Sequence, residues 1–336
     1  MLKSSLSLIL CLLLFQTAKA TKPDSLVAYF KNSGQKVSTK DSADFYRVIL
    51  PPDTNIDQDL YRVYDYYFNG KPKSIATSLT ATLNLVLDGT CIDYFLNGKR
   101  KRTVQYKNGR LIGTATNYYP NGKIYNILKF EDLSYGYYSR YYQGYLPGLG
   151  YNYKIEVVEL RDSTGNILAT NGTGHVIVFD DDFKKVLEEG DLKNNKKEGE
   201  WRGPIADSGK FVCTFHKDEL KSGISYMKSG SHYSFKQVNV KAEYSDGMAA
   251  FYLFLKKNLQ YPESVKKRKV IGDVLIGFNV ETNGTLSDIT VERGILKTLD
   301  DEAVRVISLS PPWIPSSKFG IPIRSHYTVS VNFNNY

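Results

Sequence analysis

The 336-residue sequence predicts a mainly β, repeat-containing region followed by a C-terminal α+β domain. Three observations support this prediction. First, 26 tyrosines and 16 phenylalanines stand beside 26 glycines, and aromatic residues separated by glycine favour strands and turns. Second, glycine and aromatic residues recur about every 24 residues through the middle of the chain, as in a repeat architecture. Third, patterns typical of helices begin near Lys241, where the composition changes.

The first twenty residues predict a secretory signal peptide. Lys3 supplies a positive charge, an apolar run follows from Leu6 to Phe15, and Ala18 and Ala20 are small residues suited to cleavage. This run is shorter than the roughly 20 apolar residues that span a membrane, which favours cleavage after Ala20 over an uncleaved anchor. We therefore expect an exported chain, with residues 1–20 as the signal peptide.

Two cysteines remain after that cleavage, Cys91 and Cys213. An oxidising compartment permits a disulfide between them, but two buried, unpaired thiols are the preferred interpretation. The formal net charge of +9 is a moderate basic excess, and the sequence has no nucleic-acid-binding motif. We therefore expect no nucleic acid partner.

The repeats predict an antiparallel stack of β-hairpins over residues 21–235. Asn97-Gly98 and Asn121-Gly122 predict tight hairpin turns, because both residue types tolerate positive φ. One hairpin cannot bury its aromatic face alone, but adjacent hairpins can. Each unit opens with a glycine; these are Gly89, Gly113, Gly136, Gly174, Gly199 and Gly223.

The stretches "YFLNGKRKRTVQYKNGRLIG", "YYPNGKIYNILKF" and "EGDLKNNKKEGEW" resemble MORN repeats of the short bacterial type. The resemblance is clearest over residues 89–130 and 174–225, and it implies the same hairpin stack. Residues 142–168 interrupt the period and predict a loop, a strand from Tyr153 to Arg161 and a turn at Ser163–Asn166. The periodic tyrosines favour a buried core over an exposed surface for protein or glycan, and the second interpretation stays open.

The chain from residue 242 onward predicts helices on one face of a three-stranded antiparallel sheet. An apolar stripe over residues 247–259 predicts a first helix, and Pro262 can begin a short second one. The segments Val270–Val280 and Leu286–Gly294 predict two strands joined by an Asn-Gly turn.

A third helix and a final strand complete this predicted domain. Thr298 is the expected N-cap of the helix, which the stretch "PPWIP" ends. The last strand is expected over residues 321–333, where apolar residues alternate with polar ones. The alternating residues are Tyr327, Val329, Val331 and Phe333.

Five motifs in this region occur in the order found in the C-terminal domain of the TonB family. They are "LQYP", "VIGDVLIGFNVETNGTLSDITVERG", "LDDEAVRVI", "PPWIP" and "YTVSVNF". Residues 242–334 resemble that domain, to which we assign residues 242–336. The resemblance implies a protein without enzymatic activity, located in the periplasm of a Gram-negative bacterium. The implied partner is an outer-membrane TonB-dependent transporter, and the implied role lies in TonB-dependent transmembrane transport.

The resemblance also implies how the partner binds. In TonB-like domains an exposed edge strand pairs with a short extended segment of the transporter, so that backbone hydrogen bonds supply affinity. Proline at Val329 or Val331 is then expected to abolish docking by removing a backbone donor. The implied edge strand is His326, Tyr327, Thr328, Val329, Ser330, Val331, Asn332 and Phe333. The implied second contact region is Asn258, Leu259, Gln260, Tyr261 and Pro262.

Two departures keep other functions open. A full energy transducer carries a membrane anchor and a long Pro-rich linker. Here the N-terminal apolar run is short and expected to be cleaved, and the sequence has 12 prolines and no Pro-rich tract. A transducer with an uncleaved anchor, coupled to inner-membrane motor proteins, is one alternative. A scaffold that binds peptidoglycan or another glycan through its tyrosines is another. The sequence also leaves a homodimer open.

The sequence predicts no catalytic residue, metal site or cofactor. Its four histidines are dispersed, and it contains no nucleophile, metal-binding or nucleotide-binding motif. Asp180–Asp182 favours a solvated turn over a calcium loop. The basic run Lys266–Lys269 favours a solvated helix face over a surface for an acidic partner.

Overall fold

The computed structural model describes residues 25–53, 55, 59–132, 153–206, 208–266 and 270–333. The predicted signal peptide, the repeat unit that opens at Gly136 and residues 267–269 of the basic run lie outside these residues. The chain divides into two compact units. The first contains the strands up to residue 132, and the second contains most of the described chain from residue 156 onward.

The first unit is an antiparallel sheet. Its strands are β1 (Leu26–Phe30), β2 (Lys36–Val37), β3 (Phe45–Leu50), β4 (Tyr61–Tyr67), β5 (Pro72–Ser78), β6 (Gly89–Tyr94), β7 (Arg100–Lys107), β8 (Arg110–Tyr118) and β9 (Ile124–Asp132). β1 pairs with both β2 and β3, and from β3 onward each strand pairs with the next. The predicted hairpin stack is confirmed here.

Two kinds of turn connect these strands. At Asn97-Gly98 and Asn121-Gly122 only the glycine has positive φ, at +87° and +91°. Each asparagine Oδ1 instead accepts a hydrogen bond from the lysine amide two residues later, at 2.9 Å. Both predicted hairpin turns are present, but each spans more than two residues. A two-residue turn in which both residues have positive φ occurs at Asn108-Gly109.

The glycine that opens a repeat unit is explained by a β-bulge. Gly113 has φ +67°, and the register of β7 against β8 shifts opposite it, between Thr103 and Gln105. A bulge places one residue in a left-handed conformation that glycine adopts without strain. Gly199, with φ +70°, lies at a similar register shift between β13 and β14, so two of the repeat-opening glycines mark positions where a strand bends.

A row of polar side chains crosses the sheet between its apolar residues. Each member lies directly opposite the next on the neighbouring strand, from β3 to β9. Arg47 Nε and Arg102 Nε each donate to an aspartate at 2.7 Å, and the two asparagines at the end of the row share a 2.7 Å hydrogen bond. The row is Arg47, Asp65, Ser74, Asp93, Arg102, Asn117 and Asn126.

The second unit begins with another set of antiparallel hairpins. Its strands are β10 (Tyr153–Arg161), β11 (Ile167–Thr170), β12 (Thr173–Phe179), β13 (Val186–Lys193), β14 (Lys196–Ile205), β15 (Gly209–His216), β16 (Glu219–Met227) and β17 (His232–Phe235). Each strand pairs with the next. Trp201 is buried in this sheet, and its Nε1 donates to the Asp191 carbonyl (3.0 Å). Lys197 Nζ lies over the indole ring, 4.0 Å from the ring centroid.

The same unit ends with the predicted two-layer α+β domain. After β18 (Asn239–Val240) come α1 (Gly247–Asn258), α2 (Glu263–Lys266), β19 (Asp273–Val280), β20 (Leu286–Arg293), α3 (Lys297–Ser308), β21 (Ser316–Lys318), β22 (Ile321–Ile323) and β23 (Ser325–Asn332). One sheet has the order β20-β19-β23 and is packed against α1 and α3 through a shared apolar core. β18, β21 and β22 form a second small sheet.

Two predicted boundaries in this domain are wrong. α3 begins at Lys297 rather than after Thr298, two residues earlier than expected, and the Asp300 carboxylate accepts the Ile295 amide (2.9 Å) just before this start. The expected strand over residues 321–333 is divided at Arg324, whose guanidinium pairs with Glu281 (2.7 Å). The short β22 and the longer β23 therefore belong to different sheets.

The turn between β21 and β22 is inserted among residues of the hairpin sheet. The Phe319 ring stacks on Phe211 at 4.5 Å and contacts Phe235 edge-on at 5.7 Å. Its amide donates to the Val238 carbonyl, and its carbonyl accepts from Ser225 Oγ, both at 2.6 Å. Within the second unit, Phe319 thus connects the C-terminal domain to strands β15, β16 and β17.

Candidate partner-binding site

β23 is an edge strand. It pairs with β19 over Ser325–Asn332, and no other described strand pairs with it. α1 runs beside it in the same direction. Tyr327 Oη donates to Met248 Sδ near the start of the helix (3.8 Å), and the Phe333 ring lies 6.3 Å from Tyr261, just after the end of the helix.

The backbone of β23 has two sides that can be told apart. The Phe333 amide donates to the Gly272 carbonyl (2.9 Å), and hydrogen-bonded and non-bonded pairs alternate along an antiparallel ladder. The amide and carbonyl of Val331 therefore point toward β19. Those of Thr328 and Ser330 point away from it, and no described backbone group bonds to them. A strand that docks here would meet the backbone groups of Thr328 and Ser330.

This alternation corrects the expected effect of proline at Val329 and Val331. Both amides face β19, and both side chains are buried in the core, with 4% and 0% exposed. Proline at either position would remove a hydrogen bond of the domain itself. Ser330 is the position at which proline removes an outward donor and leaves the internal ladder intact.

The beginning of β23 is less accessible than its end. Ser325 Oγ hydrogen-bonds to Ser316 Oγ (2.7 Å), which also accepts the Ala242 amide (2.8 Å). β21, which starts at Ser316, therefore lies against the start of β23. The open part of the edge extends from Thr328 toward Asn332.

β20, the opposite edge of the sheet, is protected by its own sequence. The register of β19 against β20 shifts twice, between Leu275 and Ile276 and between Gly277 and Asn279. Most of β20 is exposed, and Asp288 has φ +49°. Bulges and exposed charged residues are common features of edges that do not recruit a further strand. β23 is therefore the better candidate.

A groove of about 320 Å³ lies between α1 and the open part of β23. Its walls are largely apolar, with one cationic side chain. Leu255 and Leu259 are buried at its base, whereas half of Tyr252 is exposed. The lining residues are Tyr252, Leu255, Lys256, Leu259, Ser330, Val331 and Asn332.

The segment after α1 is fixed by a buried carboxylate. Glu302 on α3 accepts the Gln260 amide (2.6 Å) and two hydrogen bonds from Arg305 (2.6 and 2.7 Å). Arg305 in turn donates to the Asn258 carbonyl (2.8 Å), and its hydrogen bonds to Glu302 raise the pKa of the guanidinium. The pair therefore positions Leu259, which lies between these two contacts, at the groove.

The structure brings the two predicted contact regions together only in part. Leu259 and Val331 meet in the groove. Tyr261 Oη donates to the Val270 carbonyl (2.6 Å), and the Pro262 carbonyl accepts the Val265 amide (3.1 Å). These two residues therefore stabilise the segment that follows α1 and do not line the groove. His326 bonds to Glu292 (3.0 Å) on the sheet face opposite the helices.

Sequence reasoning missed several residues of this site. Tyr252 and Lys256 line the groove, and Glu302 with Arg305 fixes the chain beside it. The sequence signal for this part of the site is the spacing along α1. Tyr252, Lys256 and Leu259 are separated by four and three residues, which places their side chains on the same face of the helix. The position of that face beside β23 depends on tertiary packing.

Other parts of the described chain offer weaker candidates. The recurring tyrosines Tyr94, Tyr106 and Tyr118 are half-buried rather than part of the buried core that the sequence favoured. Tyr46, Tyr64 and Tyr66 are half-buried as well, and Phe68 is 39% exposed. Within the described ranges, no group of His, Cys, Asp or Glu side chains is arranged to hold a metal ion. In the same part of the chain, no helix has both the length and the hydropathy that a membrane span requires.

Comparison with known families agrees with this geometry. Residues 257–335 match the family model described as Gram-negative bacterial TonB protein C-terminal, and residues 87–108 and 111–132 each match a MORN repeat variant. Each MORN match spans one hairpin, β6–β7 or β8–β9.

No curated protein matches the chain. Among solved structures, the chain is similar to the solution structure of Helicobacter pylori TonB-CTD (residues 179–285). The identity is 19%, over 26% of this chain and 78% of that one, with a TM-score of 0.21. On the family matches, the chain carries a C-terminal domain of the TonB family, whose members are envelope proteins without enzymatic activity, preceded by MORN repeats.

Proposed function

We propose that this chain is a non-enzymatic periplasmic protein that binds an outer-membrane transporter by strand addition at β23. The observation that carries the proposal is the open edge at Thr328 and Ser330, with a groove directly beside it. Backbone pairing would supply affinity, and the groove would accept alternate side chains of the docked segment. The TonB-family domain supports an outer-membrane transporter as the partner.

A variant at Ser330 tests this proposal. Labelled peptides from the periplasm-facing extended segments of TonB-dependent transporters are titrated into the full chain by fluorescence anisotropy. Ser330→Pro removes one outward donor and is expected to weaken binding by roughly tenfold or more. Ser330→Ala keeps that donor and is the matched control, with affinity close to that of the unchanged protein. Equal binding by a folded Ser330→Pro variant would reject β23 as the docking edge.

Amide hydrogen exchange provides a second readout that needs no variant. In the free protein the Ser330 amide should exchange fast and the Val331 amide slowly, because only the latter is bonded to β19. Peptide binding should slow exchange at Thr328 and Ser330 and leave Val331 unchanged. Unaltered exchange at both outward amides in a saturated complex would contradict strand addition.

A second candidate function rests on the half-buried aromatic residues of the first unit. Tyr46 and Tyr66 lie opposite each other on β3 and β4 with their rings stacked at 5.4 Å, and Phe68 lies 5.9 Å from Tyr46. Such a cluster can contact the apolar face of a sugar ring. Sedimentation with purified peptidoglycan distinguishes the two functions, because Tyr66→Ala should reduce only glycan binding and Ser330→Pro only peptide binding.

A further inference from the structure

We infer that the docking site selects a partner segment in which an apolar residue enters the groove and an acidic residue two positions away, on the same face of the segment, meets Lys256. This inference rests on the proposed strand addition at β23. It goes further by assigning a chemical preference to the groove between α1 and β23, with Lys256 as the residue that reads charge.

The alternation of side chains along β23 determines which side chains of the docked segment point toward the groove. Side chains alternate between the two faces of a sheet, and Val329 and Val331 are buried on the face covered by the helices. A docked residue opposite Val331 therefore projects toward α1 and the groove. A docked residue opposite Ser330 projects to the other face, on which His326 and Thr328 contact Glu292. Only every second residue of the segment is read by the groove.

The groove side chains define what is read. Leu255, Leu259 and Val331 present apolar surface at its base, which favours an aliphatic side chain there. Lys256 lies on the wall and is exposed, and among the described residues no carboxylate pairs with it. A cation at the mouth of a small apolar groove favours a carboxylate on the segment that fills it.

Selection from a random peptide library displayed on phage tests the preference on the full chain. The unchanged protein should enrich peptides with an aliphatic residue and an acidic residue at a constant spacing. Lys256→Glu should enrich a basic residue at that same spacing and weaken an acidic peptide roughly tenfold, as expected when an exposed attractive pair becomes repulsive. The matched control is Lys257→Glu, because Lys257 is exposed on the same helix but does not line the groove.

The outcomes separate this inference from the proposed function. If peptides are enriched and Ser330→Pro abolishes their binding, but Lys256→Glu leaves the charge preference unchanged, the inference is overturned and strand addition stands. If no peptide is enriched whose binding depends on Ser330, the proposed function fails with it. Circular dichroism and thermal melting of each variant establish that the fold is intact, as expected for an exposed lysine.

Discussion

At the scale of single residues, burial controls the pKa, and therefore the reactivity, of the two cysteine thiols. Both cysteines are free and buried. Burial raises the pKa of Cys91 to about 12, with the Asp93 carboxylate adding to the rise, and burial raises the pKa of Cys213 to about 11. An unperturbed thiol titrates near about 8.5. Both side chains therefore stay neutral at a pH where exposed cysteines are reactive.

We expect slow alkylation of these thiols in the folded protein. At mildly alkaline pH, iodoacetamide should label Cys91 and Cys213 at least roughly 100-fold more slowly in the folded chain than in guanidinium chloride, since the thiolate is the reactive form. Mass spectrometry of quenched samples measures both rates. Rapid labelling of either cysteine before unfolding would contradict its described burial.

The same pKa shifts predict a loss of stability at alkaline pH. A thiol whose pKa is higher in the folded state favours folding below the pKa of the unfolded chain, and this contribution is lost as pH rises through the folded value. The loss therefore begins near about pH 8.5 and continues to about 11 for Cys213 and about 12 for Cys91. Comparing urea unfolding of the unchanged chain with Cys91→Ala isolates the thiol from tyrosine and lysine titration. An identical pH dependence in both proteins would contradict this assignment.

Glu302 is the residue on which the segment after α1 depends. Replacing it with alanine leaves the Gln260 amide without its acceptor and Arg305 without its carboxylate. We expect Glu302→Ala to lower the free energy of unfolding by about 1–3 kcal/mol, because the hydrogen bonds of a buried, charged carboxylate are lost. Asp301→Ala is the control, because its pair with Lys297 is exposed and should be worth less than about 1 kcal/mol. Equal effects in chemical denaturation would show that the Glu302 contacts are not structural.

At the scale of secondary-structure elements, the polar row across β3 to β9 sets the register of the first sheet. A shift by one residue would turn every member of the row to the other face and separate the pairs. Arg102 and Asp93 are 25% and 20% exposed as side chains, so their pair is neither fully buried nor freely solvated. Their mutual contact therefore matters more than that of a surface pair.

Breaking this pair should destabilise the first unit measurably. We expect Arg102→Met to lower the free energy of unfolding by about 1–3 kcal/mol, below the 3–5 kcal/mol typical of a fully buried pair because solvent screens part of the charge. The double change with Asp93→Leu should recover part of the loss, since no unpaired carboxylate remains. Lys31→Met is the control, at an exposed pair 3.9 Å apart. A double variant less stable than Arg102→Met would argue against pairing as the cause.

The elements also show how far the sequence can predict this fold. Alternation of apolar residues locates β10, β19 and β20 closely, and the apolar stripe locates α1, because both signals are local. The start of α3 was missed because a side chain beyond Thr298, that of Asp300, decides it. The division at Arg324 depends on an ion pair with Glu281, 43 residues away in the chain.

The candidate site was predictable to a similar extent. Family motifs and alternation predicted β23 and Leu259 as contact regions. Alternation reveals which side chains share a face, but it does not reveal which amides are bonded to β19. The sequence therefore assigned the outward backbone donor to Val331, whereas the structure assigns it to Ser330. The groove itself depends on α1 lying beside β23, a tertiary contact that no local pattern records.

At the scale of the second unit, Phe319 connects the C-terminal domain to the hairpin sheet. The two tryptophans of the chain report on these two parts separately, since Trp201 is buried in the hairpin sheet and Trp313 is buried in the C-terminal core against Phe251 and Phe278. Single-tryptophan variants, Trp201→Phe and Trp313→Phe, therefore give one probe for each part.

We expect the two probes to give coincident urea transitions when Phe319 is present. Phe319→Ala removes the stacked ring and should destabilise the contact by roughly 2–3 kcal/mol, less than the roughly 3–5 kcal/mol of a core phenylalanine because the ring is half-buried. The transitions reported by Trp201 and Trp313 should then separate. Transitions that stay coincident after this change would show that the two parts are coupled by other contacts.

The contact between Ser316 and Ser325 has a kinetic consequence. If β23 docks an extended segment as proposed, this contact restricts pairing to the last few residues of the strand, so that the segment makes few hydrogen bonds and should dissociate quickly. The occupancy of any one transporter would then follow the local abundance of its extended segment, so that several transporters could share one pool of this protein.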